Sequence, residues 1–183
     1  YRRFVQRHLY FHGEHRTFLS KNPSFTPFMA TLADAFPDAR FIGCLRNPTA
    51  AVPSQINSIV IGGKLFDGRD TADYWREGFL AMLDYYYRHL LEQLDGLPEG
   101  RGALSVMETL AAAPGESVSG FYRTFGWTPS PAYRAFLDGE DRRAAAYRSG
   151  HRYSLENLGV DPGRLAATFG WVYDRFGYPR PGD

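Results

Sequence analysis

The chain has 183 residues, 44% of them apolar, and 21 basic side chains nearly balance 20 acidic ones for a formal charge of +1. That length suits a single domain with a full core, 1–183. No apolar run is long enough to span a bilayer, and the charge gives no concentrated basic face for a nucleic acid. Cys44 is the only cysteine, so no internal disulfide is possible. Inside an apolar run it reads as a small buried hydrophobe rather than a reactive thiol. Lys21 and Lys64 are the only lysines among the basic residues, which singles both out. The sequence opens at Tyr1 with no signal or basic targeting segment, so the expectation is a cytoplasmic protein, and a piece of something longer.

Residues 1–11 carry Phe4, His8 and Phe11 at helical spacing, and His12-Gly13 closes the predicted helix. The apolar run from Thr17 to Ser20 reads as a strand that ends at Lys21-Asn22-Pro23. A helix over about 24–36 follows, with Phe28, Leu32 and Phe36 on one face, and stops at Pro37. The pattern then repeats. Phe41 to Leu45 has the length and composition of a buried strand and ends at Arg46-Asn47-Pro48. Asn47 is a good N-cap, and Pro48 suits the first helical position, which needs no amide donor. Ser54 falls about two turns into this helix, and Pro53 before it is expected to kink the helix early. Two successive strand–turn–helix units argue for parallel strands joined by crossover helices.

Ile56, Ile59, Val60 and Ile61 continue an apolar face to Gly62-Gly63, the predicted helix end, and the stretch to Asp70 reads as a loop. From Thr71 to Leu94 the apolar positions Trp75, Phe79, Met82, Leu83, Tyr86, Leu90 and Leu94 recur every three or four residues, as in a long amphipathic helix. One ring of Tyr85-Tyr86-Tyr87 then faces the core and the others flank it. Ala103 to Met107 reads as a third strand, and Glu108 is placed to anchor the turn after it. Short helices over 115–126 and 129–137 follow. A final amphipathic helix carries Leu165, Phe169, Val172 and Phe176.

Ligands bind at the carboxyl ends of strands in open α/β sheets. An arginine fork at Arg46 and a hydroxyl at Ser54, converging there, suit a phosphate. The same residues allow Arg46 to pair with a nearby carboxylate and Ser54 to be a solvated helix residue. Likewise, Lys21 can be a surface lysine with a solvated head group.

Pro37-Asp38-Ala39-Arg40-Phe41-Ile42, a short apolar strand and then Arg46-Asn47-Pro48-x5-Ser54 resemble the 3′-phosphate-binding motif of sulfotransferases that use 3′-phosphoadenosine 5′-phosphosulfate (PAPS). The resemblance implies that Arg46 and Ser54 hold the 3′-phosphate; Asn47 stands where the family often has Asp. Lys21-x-Pro23 is similar to the Lys-x-Pro element of tyrosylprotein and carbohydrate sulfotransferases. There the lysine meets the charge that grows on the bridging oxygen of the departing 5′-phosphate, which makes Lys21 the implied catalytic residue. Val106-Met107-Glu108-Thr109-Leu110 resembles the family's strand ending in Tyr-Glu-Asp-Leu. His151-Arg152-Tyr153-Ser154-Leu155 is similar to a segment near the end of bacterial members. It implies nucleotide contacts from Arg148, Ser149, His151 and Ser154; the alternative is that His151 and Tyr153 pin the tail to the core.

The fold implied is an α/β three-layer sandwich with a short parallel sheet, the P-loop NTPase-like sulfotransferase fold. The activity implied is sulfuryl transfer from PAPS to a hydroxyl or amine on a small molecule, carbohydrate or peptide, with no metal. The family's glycine/serine/threonine-rich 5′-phosphosulfate loop has no counterpart in residues 1–13, and neither His12 nor His15 stands in a base motif. The expectation is therefore the larger, C-terminal part of a truncated domain, with a 3′-phosphate site but an incomplete active site. A non-catalytic nucleotide- or glycan-binding relic is the alternative. A P-loop kinase is a further one, against which the missing Walker motif and the Arg-x-Pro-x5-Ser element count.

Overall fold

A computed structural model of the chain describes residues 1–68, 72–146, 155 and 158–182. They fall into two units, Tyr1–Ala39 and Arg40–Asp183.

The first unit is held by aromatic rings. Helix α1 (Arg2–His12) follows the predicted bounds. Tyr1 meets Phe25 and Phe36 edge-on at 5.1 and 6.0 Å, while Phe4 and His8 meet Phe18 at 6.2 and 4.9 Å. Such pairs contribute about 0.5–1.5 kcal/mol each beyond their buried area. The predicted strand over Thr17–Ser20 is not formed. Its one half-buried apolar ring, Phe18, docks on α1, and no ladder partner exists for it among the described residues. The helix predicted next is also shorter than expected. Pro23–Phe28 is a 3-10 turn, and α2 covers only Met29–Ala35. Pro27 explains the delay, since it has no N–H to give to the carbonyl one turn back.

In the second unit β1 (Phe41–Leu45) pairs in parallel with β2 (Gly102–Val106), in register from Phe41 opposite Gly102 to Leu45 opposite Val106. The connection between them contains α3 (Pro48–Asp67) and α4 (Ala72–Asp95). After β2 come α5 (Met107–Ala112), α6 (Pro114–Thr124), α7 (Pro131–Ala146) and α8 (Pro162–Phe176). The fold is thus α/β with a short parallel sheet. The register sets both strands' carboxyl ends side by side, so the turns after Leu45 and Val106 are neighbours.

Leu45, Val52, Ile56, Leu165, Phe169 and Val172 are sealed from solvent, joining β1, α3 and α8 in one core with Phe79 of α4. Burying each such side chain stabilises the fold by about 1.5–3 kcal/mol. Gly43 lets α4 lie close on β1, because a Cβ there would come within 2.7 Å of the Leu90 and Leu94 methyls. Strand alternation turns Ile42 and Cys44 to the opposite face, where both are exposed. The expected burial of Cys44 is thereby corrected.

Helices α3 and α4 differ from expectation. Gly62-Gly63 does not end α3, which continues to Asp67 and stops at Gly68, whose φ is 67° and whose amide meets the Lys64 carbonyl at 3.2 Å. Each interior glycine costs up to about 1 kcal/mol, but the packing of Ile59 and Val60 against the core carries the helix across them. Pro53 sits fully buried within α3, which is assigned without a break across it. In α4 the core-facing tyrosine is Tyr87, not Tyr86: Phe79 and Leu90 are buried as expected, and Leu80, Tyr87 and Leu91 continue the buried stripe beside them. Among the described residues no helix is long and apolar enough to cross a membrane.

α6 and α7 touch backbone to side chain. Asp141 of α7 accepts the amides of Gly115 and Glu116 at 2.6 and 3.1 Å, and a Cβ on Gly115 would stand 2.2 Å from the Leu137 carbonyl oxygen.

Candidate functional site

The carboxyl end of β1 passes through Arg46 and Asn47 into α3, a two-residue turn with Ser54 seven residues into the helix. Asn47 Oδ1 accepts the Thr49 amide at 2.9 Å, and the Asn47 carbonyl accepts those of Ala50 and Ala51 at 3.0 and 2.9 Å. Pro48 has no amide hydrogen, so the donors of the first helical turn are all engaged. The helix end supplies a positive dipole but no spare amides. Any anion held at this turn must therefore be held by side chains. Arg46 and Ser54 are both half-buried. Among the described residues the Arg46 guanidinium has no hydrogen bond or ion pair, and the Ser54 hydroxyl has no partner. The carboxylate pairing that the sequence allowed for Arg46 is not formed there. An unpaired guanidinium at the strand end and an unpartnered hydroxyl two turns into the next helix are the donor types that a phosphate monoester takes.

The turn itself is held from several sides. The Tyr87 hydroxyl of α4 donates to the Arg46 carbonyl at 2.9 Å. The Asn47 amide donates to Glu108 Oε1 at 3.0 Å, and Glu108 Oε2 accepts the Tyr178 hydroxyl at 2.8 Å. One turn into α3, Thr49 Oγ1 lies 2.9 Å from the Tyr173 hydroxyl of α8. Glu108 was expected to anchor the turn after β2; its carboxylate reaches instead to the turn after β1. Burial pushes the Tyr87 phenol up to about 12, with the bond to the Arg46 carbonyl working the other way and the Glu108 charge adding to the rise. Burial and the bond to Glu108 raise Tyr178 as well. Both phenols therefore stay protonated, and keep donating, at neutral pH.

Tyr87, Thr49, Tyr173 and Tyr178 were not among the predicted site residues. Their partners lie 41, 124 and 70 residues away in sequence, so no local spacing marks them. The phase of the α4 stripe is the one signal that would have picked out Tyr87.

Arg46 and Ser54 share one strand–turn–helix unit. Lys21 belongs to the N-terminal unit, exposed, just before Asn22, whose Oδ1 accepts the Ser24 amide at 3.0 Å. Arg148, Ser149, His151 and Ser154 lie outside the described residues. The chain just beyond them is pinned to α4, where Arg76 Nε donates to the Leu158 carbonyl at 2.8 Å. Among the described residues no group of three or more His, Cys, Asp or Glu could hold a metal ion.

Comparison with known proteins gives a family and a fold. A family model described as the sulfotransferase family matches residues 2–131. The crystal structure of sulfotransferase STF9 from Mycobacterium avium superposes with a TM-score of 0.70 at 19% identity, over 89% of this chain and 42% of that one. At that identity the likeness shows a shared fold, and the chain spans less than half the length of that protein. No curated protein matches the chain.

Proposed function

The chain belongs to the sulfotransferase family, and from that premise we propose that it serves sulfuryl transfer from PAPS to a hydroxyl or amine acceptor, with Arg46 and Ser54 holding the 3′-phosphate. One observation carries the reading. The Arg46 guanidinium stands without an ion pair, among the described residues, in a braced turn at the carboxyl end of β1. A half-buried guanidinium with no anion of its own keeps its fork of N–H donors available to a phosphate.

PAPS, when bound, supplies the activated sulfuryl group. The Arg46 fork and the Ser54 hydroxyl hold and orient the 3′-phosphate, the group that separates this donor from ATP. Lys21 is assigned to the negative charge that develops on the leaving 5′-phosphate oxygen. A fixed ammonium there stabilises the transition state more than the ground state. By resemblance, Arg148, Ser149, His151 and Ser154 contact the nucleotide. The acceptor is a small molecule, a carbohydrate or a peptide.

Calorimetric titration with 3′,5′-bisphosphoadenosine, with 5′-AMP as control, tests the assignment. The bisphosphate is expected to bind more tightly. Arg46→Ala should remove that preference, because a charged hydrogen bond contributes about 1.5–3 kcal/mol, roughly ten- to 150-fold in affinity. Equal binding of the two nucleotides, or a preference untouched by Arg46→Ala, overturns it. In an active parent protein, Lys21→Ala should lower turnover while nucleotide affinity stays nearly intact.

A further inference from the structure

We propose that Tyr87, Glu108 and Tyr178 are positioning residues for recognition of the 3′-phosphate, because together they fix the single peptide unit that aims the Arg46 side chain. The inference rests on the reading that Arg46 binds this phosphate.

The carbonyl of Arg46 and the amide of Asn47 belong to one peptide group, whose plane also contains the Arg46 Cα. Tyr87 holds the carbonyl end of that plane at 2.9 Å, and Glu108 holds the amide end at 3.0 Å. Neither bond is needed to make the strand or the helix. β1 is already held by its ladder to β2. α3 is held by the Asn47 side-chain cap and by Val52 and Ile56 in the core. What the two bonds add is the orientation of the one peptide between these elements. With that peptide fixed, the arginine stem leaves the chain in one direction, and less freedom is lost when the guanidinium meets an anion.

Tyr178 extends the same bracing to the chain's last segment. It follows Gly177, where α8 ends, its amide meets the Tyr173 carbonyl at 3.1 Å, and its ring stacks on Phe176 at 6.0 Å. Its hydroxyl occupies the second oxygen of Glu108 and so orients the first toward Asn47. Tyr87 is buried, whereas Glu108 is exposed. The Tyr87 bond is therefore the stronger of the two, being sheltered from competing water.

The test titrates 3′,5′-bisphosphoadenosine and 5′-AMP into the chain and into Tyr87→Phe and Tyr178→Phe, each alone and combined with Arg46→Ala. Tyr87→Phe keeps the ring's edge contact with Phe169 at 5.8 Å and removes only the hydroxyl. It should weaken the bisphosphate about three- to tenfold and leave 5′-AMP unchanged. Tyr178→Phe, acting through exposed Glu108, should cost less than about threefold. Both should be silent on the Arg46→Ala background, where nothing remains to be positioned. Equal weakening of both nucleotides, or a loss that adds to that of Arg46→Ala, would make Tyr87 structural and overturn the proposal. A 3′-phosphate preference left undiminished by Tyr87→Phe also overturns it while leaving the phosphate site standing. No such preference in the unmodified chain removes the phosphate reading, and the positioning role with it. Should Tyr87→Phe unfold the chain, Glu108→Gln reads the same peptide from its exposed side, with about a twofold selective loss expected and none overturning the proposal.

Discussion

Two stretches of this chain are spelled alike. Thr17 to Pro23 and Phe41 to Pro48 each run from apolar residues through a basic residue and an asparagine to a proline. The asparagines do the same work, with Asn22 Oδ1 accepting the Ser24 amide at 3.0 Å and Asn47 Oδ1 the Thr49 amide at 2.9 Å. Yet one stretch is a strand feeding a helix of 20 residues, and the other has no strand and a 3-10 turn of six. The difference lies beyond the shared residues. β1 has β2 to pair with, and α3 buries Val52 and Ile56. The first stretch has Pro27 a turn after Pro23, and its Phe18 goes to α1 instead. A cap starts a helix, but ladder bonds and burial decide how far the regular structure runs.

The contrast can be broken at several points. The largest effect is expected from Ile56→Ala, at about 2–5 kcal/mol in chemical denaturation. Phe18→Ala, which removes two edge contacts of a half-buried ring, should cost about 1–3 kcal/mol. Equal costs would mean that the two stretches are held equally well.

Alkali should also separate them. An unfolded phenol titrates at about 10, whereas burial pushes Tyr87 up to about 12. Its contribution is full below the lower value and falls away as pH rises toward the upper one. Stability should therefore decline across that window, and less steeply in Tyr87→Phe; parallel curves for the two proteins would refute the coupling.

Smaller still is the loss of the caps. Asn47→Ala should lower stability by about 1 kcal/mol, and Asn22→Ala by only a fraction of that, as seen in paired thermal melts. The smallest effect belongs to Pro27→Ala. It should extend α2 back toward Asn22, with residues 23–28 acquiring helical NMR shifts; an unchanged 3-10 pattern would show that Pro27 is not what delays the helix.

Much of the second unit was legible in sequence because its signals are local. The strand at Phe41–Leu45, the Asn47 cap and the long amphipathic α4 all follow from residue types at short spacing. Pairing was not legible, since nothing within Thr17–Ser20 says that a partner strand is lacking. Nor was the outcome at Gly62-Gly63, where distant packing through Ile59 and Val60 outweighs two poor helix formers. Tyr87 was missed because the stripe drawn through Met82 and Tyr86 left out the buried Leu80 and Leu91 on either side of it. The predicted ligand pair Arg46 and Ser54 falls in one unit, but the bonds that brace Arg46 join residues too far apart in sequence to be inferred.

Cys44 has a practical consequence. As the sole thiol, on the exposed face of β1 and two residues before Arg46, it offers one attachment point for a probe. Partial desolvation pushes its pKa up, so its thiolate fraction at neutral pH is below that of a free cysteine. Its rate of modification should rise when the chain is denatured, and should fall further whenever anything covers that side of the sheet. Labelling kinetics at this single position would thus serve as a built-in gauge of how much of the sheet's open face is occupied.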